Sequence, residues 1–133
     1  MEFPRFLIVR QRFPDRSIKD IPIHVRATLG RSGMAARLRP GSSVAIGVGS
    51  RGIANNQAIV RAAVQWWKDQ GMRPFIFPAM GSHGAATARG QGQVLAKYGI
   101  TEPEVGCPVR SSLTVVQLGE ADGIPVCMDA LAH

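Results

Sequence analysis

Two short apolar runs, each followed by a glycine-rich turn and a helical pattern, dominate the sequence. The runs are residues 43–48 and 74–78, and neither shows the polar alternation of a half-exposed strand, which is typical of strands covered on both faces. Helical patterns follow at residues 55–70 and 87–98. A strand, a helix, a strand and a helix in this order predict an α/β fold, with a Rossmann-like parallel sheet and flanking helices.

Both predicted helices carry start and stop signals. Asn55 or Asn56 can cap the first, which ends at Gly71, and Thr87 can cap the second, which ends at Gly99. The first helix has a stripe of residues predicted to be buried, formed by Ile59, Ala63, Val64, Trp66 and Trp67. The second helix carries Val94, Leu95 and Tyr98, while Gly90 and Gly92 weaken it by about 1 kcal/mol each relative to alanine.

The two ends of the chain give weaker patterns. Residues 6–13 alternate partly and predict a strand near an edge, and residues 21–30 predict a short helix capped by Asp20. Residues 30–41 are interpreted as a loop or a broken helix. Near the other end, two further strands are predicted on either side of a turn, at residues 109–118 and 123–129.

Composition limits the class of protein. A length of 133 residues predicts one domain spanning residues 1–133, and 45% apolar with 19% charged residues is typical of a folded globular chain. No apolar run is long enough to cross a bilayer and no signal peptide is evident, which favours a cytoplasmic protein with no membrane partner. Cys107 and Cys127 match no zinc or redox spacing and are predicted to be small buried hydrophobes.

The net charge of +7 comes from scattered basic residues. A small basic nucleic-acid-binding domain is one interpretation, but no block of consecutive positive charges and no interleaved aromatic residues support it. Attraction of a small anionic ligand accounts for the sign of the charge equally well.

The loops after the two central strands carry the candidate functional residues. They read GSRG at residues 49–52 and MGSHG at residues 80–84. Ligands of open α/β sheets bind beyond the carboxyl ends of the strands, so we expect Arg51 and His83 to share one crevice. Arginine is a fixed cation for a carboxylate or phosphate, and histidine moves protons near neutral pH. Ser50, Gly52 and Ser82 complete the predicted anion-binding set. The plain alternative is two glycine turns in which His83 only bonds backbone.

Gly47, Gly49 and Gly52 also form the spacing G-x-G-x-x-G of dinucleotide-binding loops. That fingerprint requires an acidic residue about twenty positions further on, at the end of the second strand, to bind the ribose. The second strand ends without one, and Asp69 falls at the end of a helix. A dinucleotide-binding (NAD or FAD) oxidoreductase domain therefore stays the alternative, with at most weak NAD binding through loop amides.

Three segments resemble the nickel-dependent lactate racemase family: GVGSRGIANN at residues 47–56, PFIFPAMGSHGAAT at 74–87 and GCPVRSS at 106–112. The resemblance is to the N-terminal part of that family and covers nearly the whole chain. It implies two α/β domains with the active site in the cleft between them, and racemisation or epimerisation of a small anionic 2-hydroxy acid. It also implies a pincer cofactor, nickel pyridinium-3,5-bisthiocarboxylic acid mononucleotide, that accepts the substrate hydride while a pair of histidines exchanges the hydroxyl proton.

Two site residues carry over from the family to this sequence. His83 matches the first catalytic histidine, and Arg51 matches the arginine that holds the substrate or cofactor anion. The resemblance implies that the second histidine, the lysine that tethers the cofactor and the nickel-ligating histidine follow His133. We therefore expect a partial N-terminal domain that holds no metal ligand of its own, is inactive alone and has the C-terminal domain of the same protein as its partner. Val48 and Gly84 replace an aspartate and an arginine usual in the family, so lactate itself is not implied.

Overall fold

A computed structural model describes residues 6–133, in which helices and strands alternate from α1 to α3 and a fourth helix and two further strands follow. The helices are α1 (Ile21–Arg31), α2 (Asn56–Asp69), α3 (Ala88–Lys97) and α4 (Glu102–Val105), with short 3₁₀ turns at Ala35–Arg37 and Gly84–Ala86. The strands are β1 (Ser43–Val48), β2 (Arg73–Pro78), β3 (Val115–Ala121) and β4 (Ile124–Asp129). Across these described residues, every helix is too short or too polar to cross a membrane.

A small parallel sheet forms the centre of the molecule. β1 and β2 pair in parallel from Ser43 opposite Arg73 to Val48 opposite Pro78. A third segment lies along the other side of β2, where the Ile76 N–H donates to the Pro108 carbonyl at 2.9 Å. The α/β class predicted from the sequence is confirmed at this level.

Apolar residues from the helices cover β2. The main core cluster joins both central strands to α2, α3 and α4, and its members are Val48, Val60, Val64, Ile76, Leu95, Ile100, Val105 and Cys107. A second cluster, Trp66, Trp67 and Met72, packs against the end of α1 and the start of β1. The predicted stripe on α2 is confirmed for Val64 and the tryptophans.

β2 is buried on both faces as predicted, but β1 is not. Val48 is buried and Ile46 is half-buried, while Ser43, Ala45 and Gly47 on the opposite face are exposed. The prediction of a fully covered strand was wrong at β1 because these exposed residues have small side chains. Burying small side chains removes little apolar area from water and so gives little driving force for a second layer.

Two of the three predicted helix caps are confirmed. The Asp20 carboxylate accepts the Ile23 N–H at 2.9 Å, and the Thr87 hydroxyl accepts the Gly90 N–H at 3.0 Å. Asn55 occupies the cap position of α2, but its side chain makes no capping bond. Its backbone is left-handed, with a φ of 57°, instead of the extended conformation from which cap side chains bond.

The prediction of a strand at residues 6–13 was wrong. These residues lie exposed without regular structure, and Phe6 retains 94% of its accessible surface. The alternation of this segment was compatible with a strand. A strand also needs a neighbour for its backbone hydrogen bonds, and no pairing reaches these residues within the described chain.

β3 and β4 form an antiparallel hairpin around Asp122 and Gly123, in agreement with the predicted turn. The first strand begins at Val115 instead of residue 109, because Val109 pairs with Ile76 in the parallel sheet. The four-residue helix α4 was not predicted. The chain therefore has a second, antiparallel sheet in addition to the parallel sheet of the strand–helix pattern.

The two cysteines differ in their surroundings. Cys107 is buried in the main core, and this burial raises the pKa of its thiol. Cys127 lies exposed on β4, so the prediction that it is buried was wrong. A lone cysteine in an apolar run does not indicate whether its face of the sheet is exposed or covered.

Candidate functional site

The loops after β1 and β2 lie side by side. Parallel pairing places the carboxyl ends of both strands at one edge, and the Ala79 N–H donates to the Val48 carbonyl at 2.9 Å, continuing the ladder past β2. Residues 49–51 and 79–83 therefore face each other. This is the edge at which open α/β sheets bind ligands.

Three side chains meet at this edge. The Ser50 hydroxyl lies 2.5 Å from Nδ1 of His83, and Nε of Arg51 donates to Nε2 of His83 at 3.3 Å. The predicted proximity of Arg51 and His83 is confirmed. Ser50 and His83 are half-buried, whereas Arg51 is exposed. One imidazole is thus held at both ring nitrogens, by a neutral hydroxyl on one side and a cation on the other.

A cleft of about 490 Å³ opens between the two loops. Ser50, Arg51 and Ser82 line it together with apolar residues, Ile53 and Met80 among them. Arginine, two hydroxyls and loop backbone suit a small anion with a short apolar part.

Gly52, the remaining predicted anion-binding residue, does not line this cleft. Its φ of +56° places it in the left-handed region, and nothing lies within 4 Å of a Cβ built on it. Gly52 turns the chain toward α2, so its role is conformational.

Two side chains from α3 and its cap hold the loops in place by bonding backbone carbonyls. The Tyr98 hydroxyl donates to the Ser50 carbonyl at 2.9 Å, and the Gln91 amide donates to the Gly81 carbonyl at 2.7 Å. Neither Tyr98 nor Gln91 was predicted from the sequence to reach the loops. The available signal was a glutamine four residues before Leu95, on the face of α3 that turns inward.

The segment after His83 is a tight left-handed turn that packs against α3. Gly84, Ala85 and Ala86 have φ values of 67°, 55° and 50°. A Cβ built on Gly90 would lie 1.9 Å from the Gly84 carbonyl oxygen. The glycine inside α3 therefore allows the backbone that follows His83 to approach the helix closely. Non-glycine residues in this region cost about 1–3 kcal/mol each and often mark functional loops.

Asp69, the acidic residue at the spacing expected for a dinucleotide-binding site, makes its contacts elsewhere. Its carboxylate accepts a hydrogen bond from Nη1 of Arg26 at 2.6 Å and from the Gln65 amide at 2.9 Å. Hydrogen bonds from Gln65 and Arg26 hold the pKa of the Asp69 carboxyl below its usual range. Asp69 links α2 to α1 and takes no part in the cleft.

Within residues 6–133, no three histidine, cysteine, aspartate or glutamate side chains lie close enough to hold a metal ion. No protein-family model, curated protein or solved structure matches this chain.

Proposed function

We propose that this chain is the N-terminal part of a 2-hydroxy-acid racemase or epimerase. In this proposal the cleft binds the substrate carboxylate, and His83 exchanges the proton of the substrate hydroxyl. The observation that supports it is the contact of Ser50, Arg51 and His83 at the carboxyl ends of two paired parallel strands.

The chemistry of a 2-hydroxy acid suits these three residues. Its carboxylate is an anion that Arg51 can bind by two parallel hydrogen bonds. Its hydroxyl must lose and regain a proton as the hydride leaves the carbon and returns to the other face. Histidine does this work near neutral pH. Ser50 and Ser82 add hydroxyl donors at the walls of the same cleft.

The nickel cofactor implied by the resemblance would take its histidine ligand and its tether lysine from residues that the resemblance places after His133, and residues 6–133 bring no set of metal ligands together. When bound, that cofactor would accept the substrate hydride. The described residues act on the anion and the hydroxyl proton of the substrate.

The same proposal includes a Rossmann-like sheet for this domain and a cytoplasmic location for the protein. The competing dinucleotide function is disfavoured because Asp69 is bonded to Arg26, away from the cleft. The second strand ends at Pro78, and Ala79 and Met80 follow it, without an acid among them. A ribose would find no acceptor there of the kind that dinucleotide sites use.

The test is an anion titration of the purified chain followed by NMR. Glycolate, the simplest 2-hydroxy acid, is compared with acetate, and larger 2-hydroxy acids are compared with their deoxy analogues. We expect saturable binding with shifts confined to the two loops, and tighter binding of the hydroxy acid by several-fold. One added hydrogen bond is worth about 1 kcal/mol.

Two variants make the test specific. Arg51→Gln removes the proposed carboxylate ligand and should weaken binding about 10- to 100-fold, as expected for a charge-assisted bond. Arg61→Gln removes the same charge from an exposed position on α2 and should leave binding unchanged. Absence of saturable binding for every acid tested, or equal weakening by both variants, would refute the proposed site.

A further inference from the structure

We propose that Arg51 locks His83 until an anion enters the cleft. In the free protein its guanidinium occupies Nε2 of the imidazole, and a substrate carboxylate releases that nitrogen by drawing Arg51 away. This inference rests on the proposed function and deepens it. It states that Nε2 of His83 becomes free to accept a hydrogen bond only when the ligand carries a negatively charged group.

The hydrogen bonds fix the tautomer of His83. A guanidinium has donors and no acceptor, so Nε2 of His83 must accept the bond from Nε of Arg51. In the neutral ring the proton then lies on Nδ1, which donates to the Ser50 hydroxyl oxygen. Both nitrogens are engaged, and the ring has no free acceptor in this state.

The same assignment defines what Ser50 does. A serine nucleophile needs a histidine nitrogen that accepts its hydroxyl proton, but Nδ1 of His83 is here the donor. The Ser50 hydroxyl proton is therefore free to bond a ligand oxygen. The Tyr98 hydroxyl donates to the Ser50 carbonyl at 2.9 Å and so holds the backbone that carries this donor. Ser50 is a binding residue of the cleft.

The Arg51 contact is of the kind that an anion can displace. At 3.3 Å it is longer than a typical N–H bond, it uses one of five guanidinium donors, and the side chain is exposed. A carboxylate offers two shorter, charge-assisted bonds to the same group. Once Arg51 turns to the carboxylate, Nε2 of His83 is open to the hydroxyl on the adjacent carbon of a 2-hydroxy acid.

The first measurement is the tautomer of His83 in the free ¹⁵N-labelled chain. Long-range ¹H–¹⁵N correlation distinguishes protonated from unprotonated ring nitrogens, and it is recorded about two pH units above the ordinary histidine pKa of about 6.5. We expect a protonated Nδ1 and an unprotonated Nε2. His24 and His133 are exposed and serve as internal references. His83→Gln assigns the signal by its loss.

Arg51→Met removes the donor and keeps the apolar stem. We expect it to abolish the Nδ1–H form, because the Ser50 hydroxyl can then donate to Nδ1 while the ring proton moves to Nε2. Arg61→Met on α2 should leave His83 unchanged. An Nε2–H tautomer in the unmodified free chain would overturn the lock, as would a tautomer insensitive to Arg51→Met.

The second measurement is the response of Nε2 to a ligand. Glycolate is compared with its uncharged amide, glycolamide, which keeps the hydroxyl but lacks the anion. Glycolate should shift the Nε2 signal to a saturating limit, and glycolamide at equal concentration should not. Saturable glycolate binding without a change at Nε2 would overturn the lock alone. Failure of any 2-hydroxy acid to bind would remove the proposed function, and the release step with it.

Discussion

His83 is held beside the cleft by Ser50 and Arg51, which line it, and its imidazole is only half-buried. His83→Asn should therefore leave the melting temperature nearly unchanged, because a loop side chain outside the core contributes little to folding. In a cofactor-loaded protein that contains this chain, racemisation of the substrate should fall about 100- to 10,000-fold, the usual worth of one positioned acid–base group.

The measurement is chiral chromatography of the reaction, with thermal unfolding recorded alongside. His24→Asn on the exposed side of α1 is the matched control and should change neither quantity. If His83→Asn turns over at the rate of the unmodified protein, the imidazole is only a turn residue.

The proximity of Arg51 and His83 could be predicted from sequence because both follow strands that pair in parallel. A residue that directly follows a strand of a parallel sheet lies at the ligand-binding edge. Tyr98 and Gln91 could not be assigned in this way, because they act by bonding the carbonyls of Ser50 and Gly81. Every residue has a carbonyl, so the sequence carries no mark of which one a helix side chain will reach.

At the scale of elements, α3 contains two glycines that have the same low helix propensity but different surroundings in the structure. A Cβ on Gly90 would collide with the Gly84 backbone, whereas one on Gly92 would make ordinary contact, 3.9 Å from the Ser111 Cβ. Gly90→Ala should lower the free energy of unfolding by about 1–3 kcal/mol, the usual cost of overpacking. Gly92→Ala should raise it by about 0.5–1 kcal/mol, because alanine is the better helix former.

Urea unfolding of the two variants measures this difference directly. Opposite signs are expected from substitutions two residues apart in one helix. Stabilisation by both alanines would show that the turn after His83 does not need its close approach to α3.

The contact of α1 with α2 should respond to acid. The folded pKa of Asp69 is lowered, chiefly by the Gln65 amide and then by Arg26, so its stabilising effect exists above the ordinary carboxyl pKa. This effect is lost as the pH falls through the lowered folded value. Asp69→Asn should thus be less stable than the unmodified chain near neutral pH, and the difference should vanish in strong acid.

Unfolding by urea across a pH series checks this dependence. Asp122→Asn removes the same charge from the exposed hairpin turn and controls for net charge. A stability difference for Asp69→Asn that stays constant down to strong acid would show that the carboxylate charge is not what links the helices.

The elements that sequence reasoning placed correctly are those whose local signals agree with their packing. β2 is an apolar run with large side chains, and Thr87 begins a helix whose apolar positions meet the core. The segment at residues 6–13 and the exposed face of β1 failed for the opposite reason. Their patterns describe a strand in isolation, whereas burial and pairing depend on what another part of the chain supplies.

For the molecule as a whole, we expect no stoichiometric binding of nickel by the purified 133-residue chain. A nickel site needs several donors in fixed geometry, and residues 6–133 bring no three metal-binding side chains together. Calorimetry on tag-free protein is the measurement. Binding of one nickel ion per chain, lost on His83→Asn, would contradict this expectation.

The packing of Trp66 against Trp67 gives the chain an optical reporter of its own. These are its two tryptophans, both buried, with ring centroids 4.7 Å apart and planes at 71°. Their transitions should couple, and their emission should shift to the red only when the cluster beside β1 opens to water. Because this cluster packs against Leu29 and Val44, the intrinsic fluorescence reports on the core and not on the loops. A change in emission on adding a ligand would therefore mean that the core had moved as well.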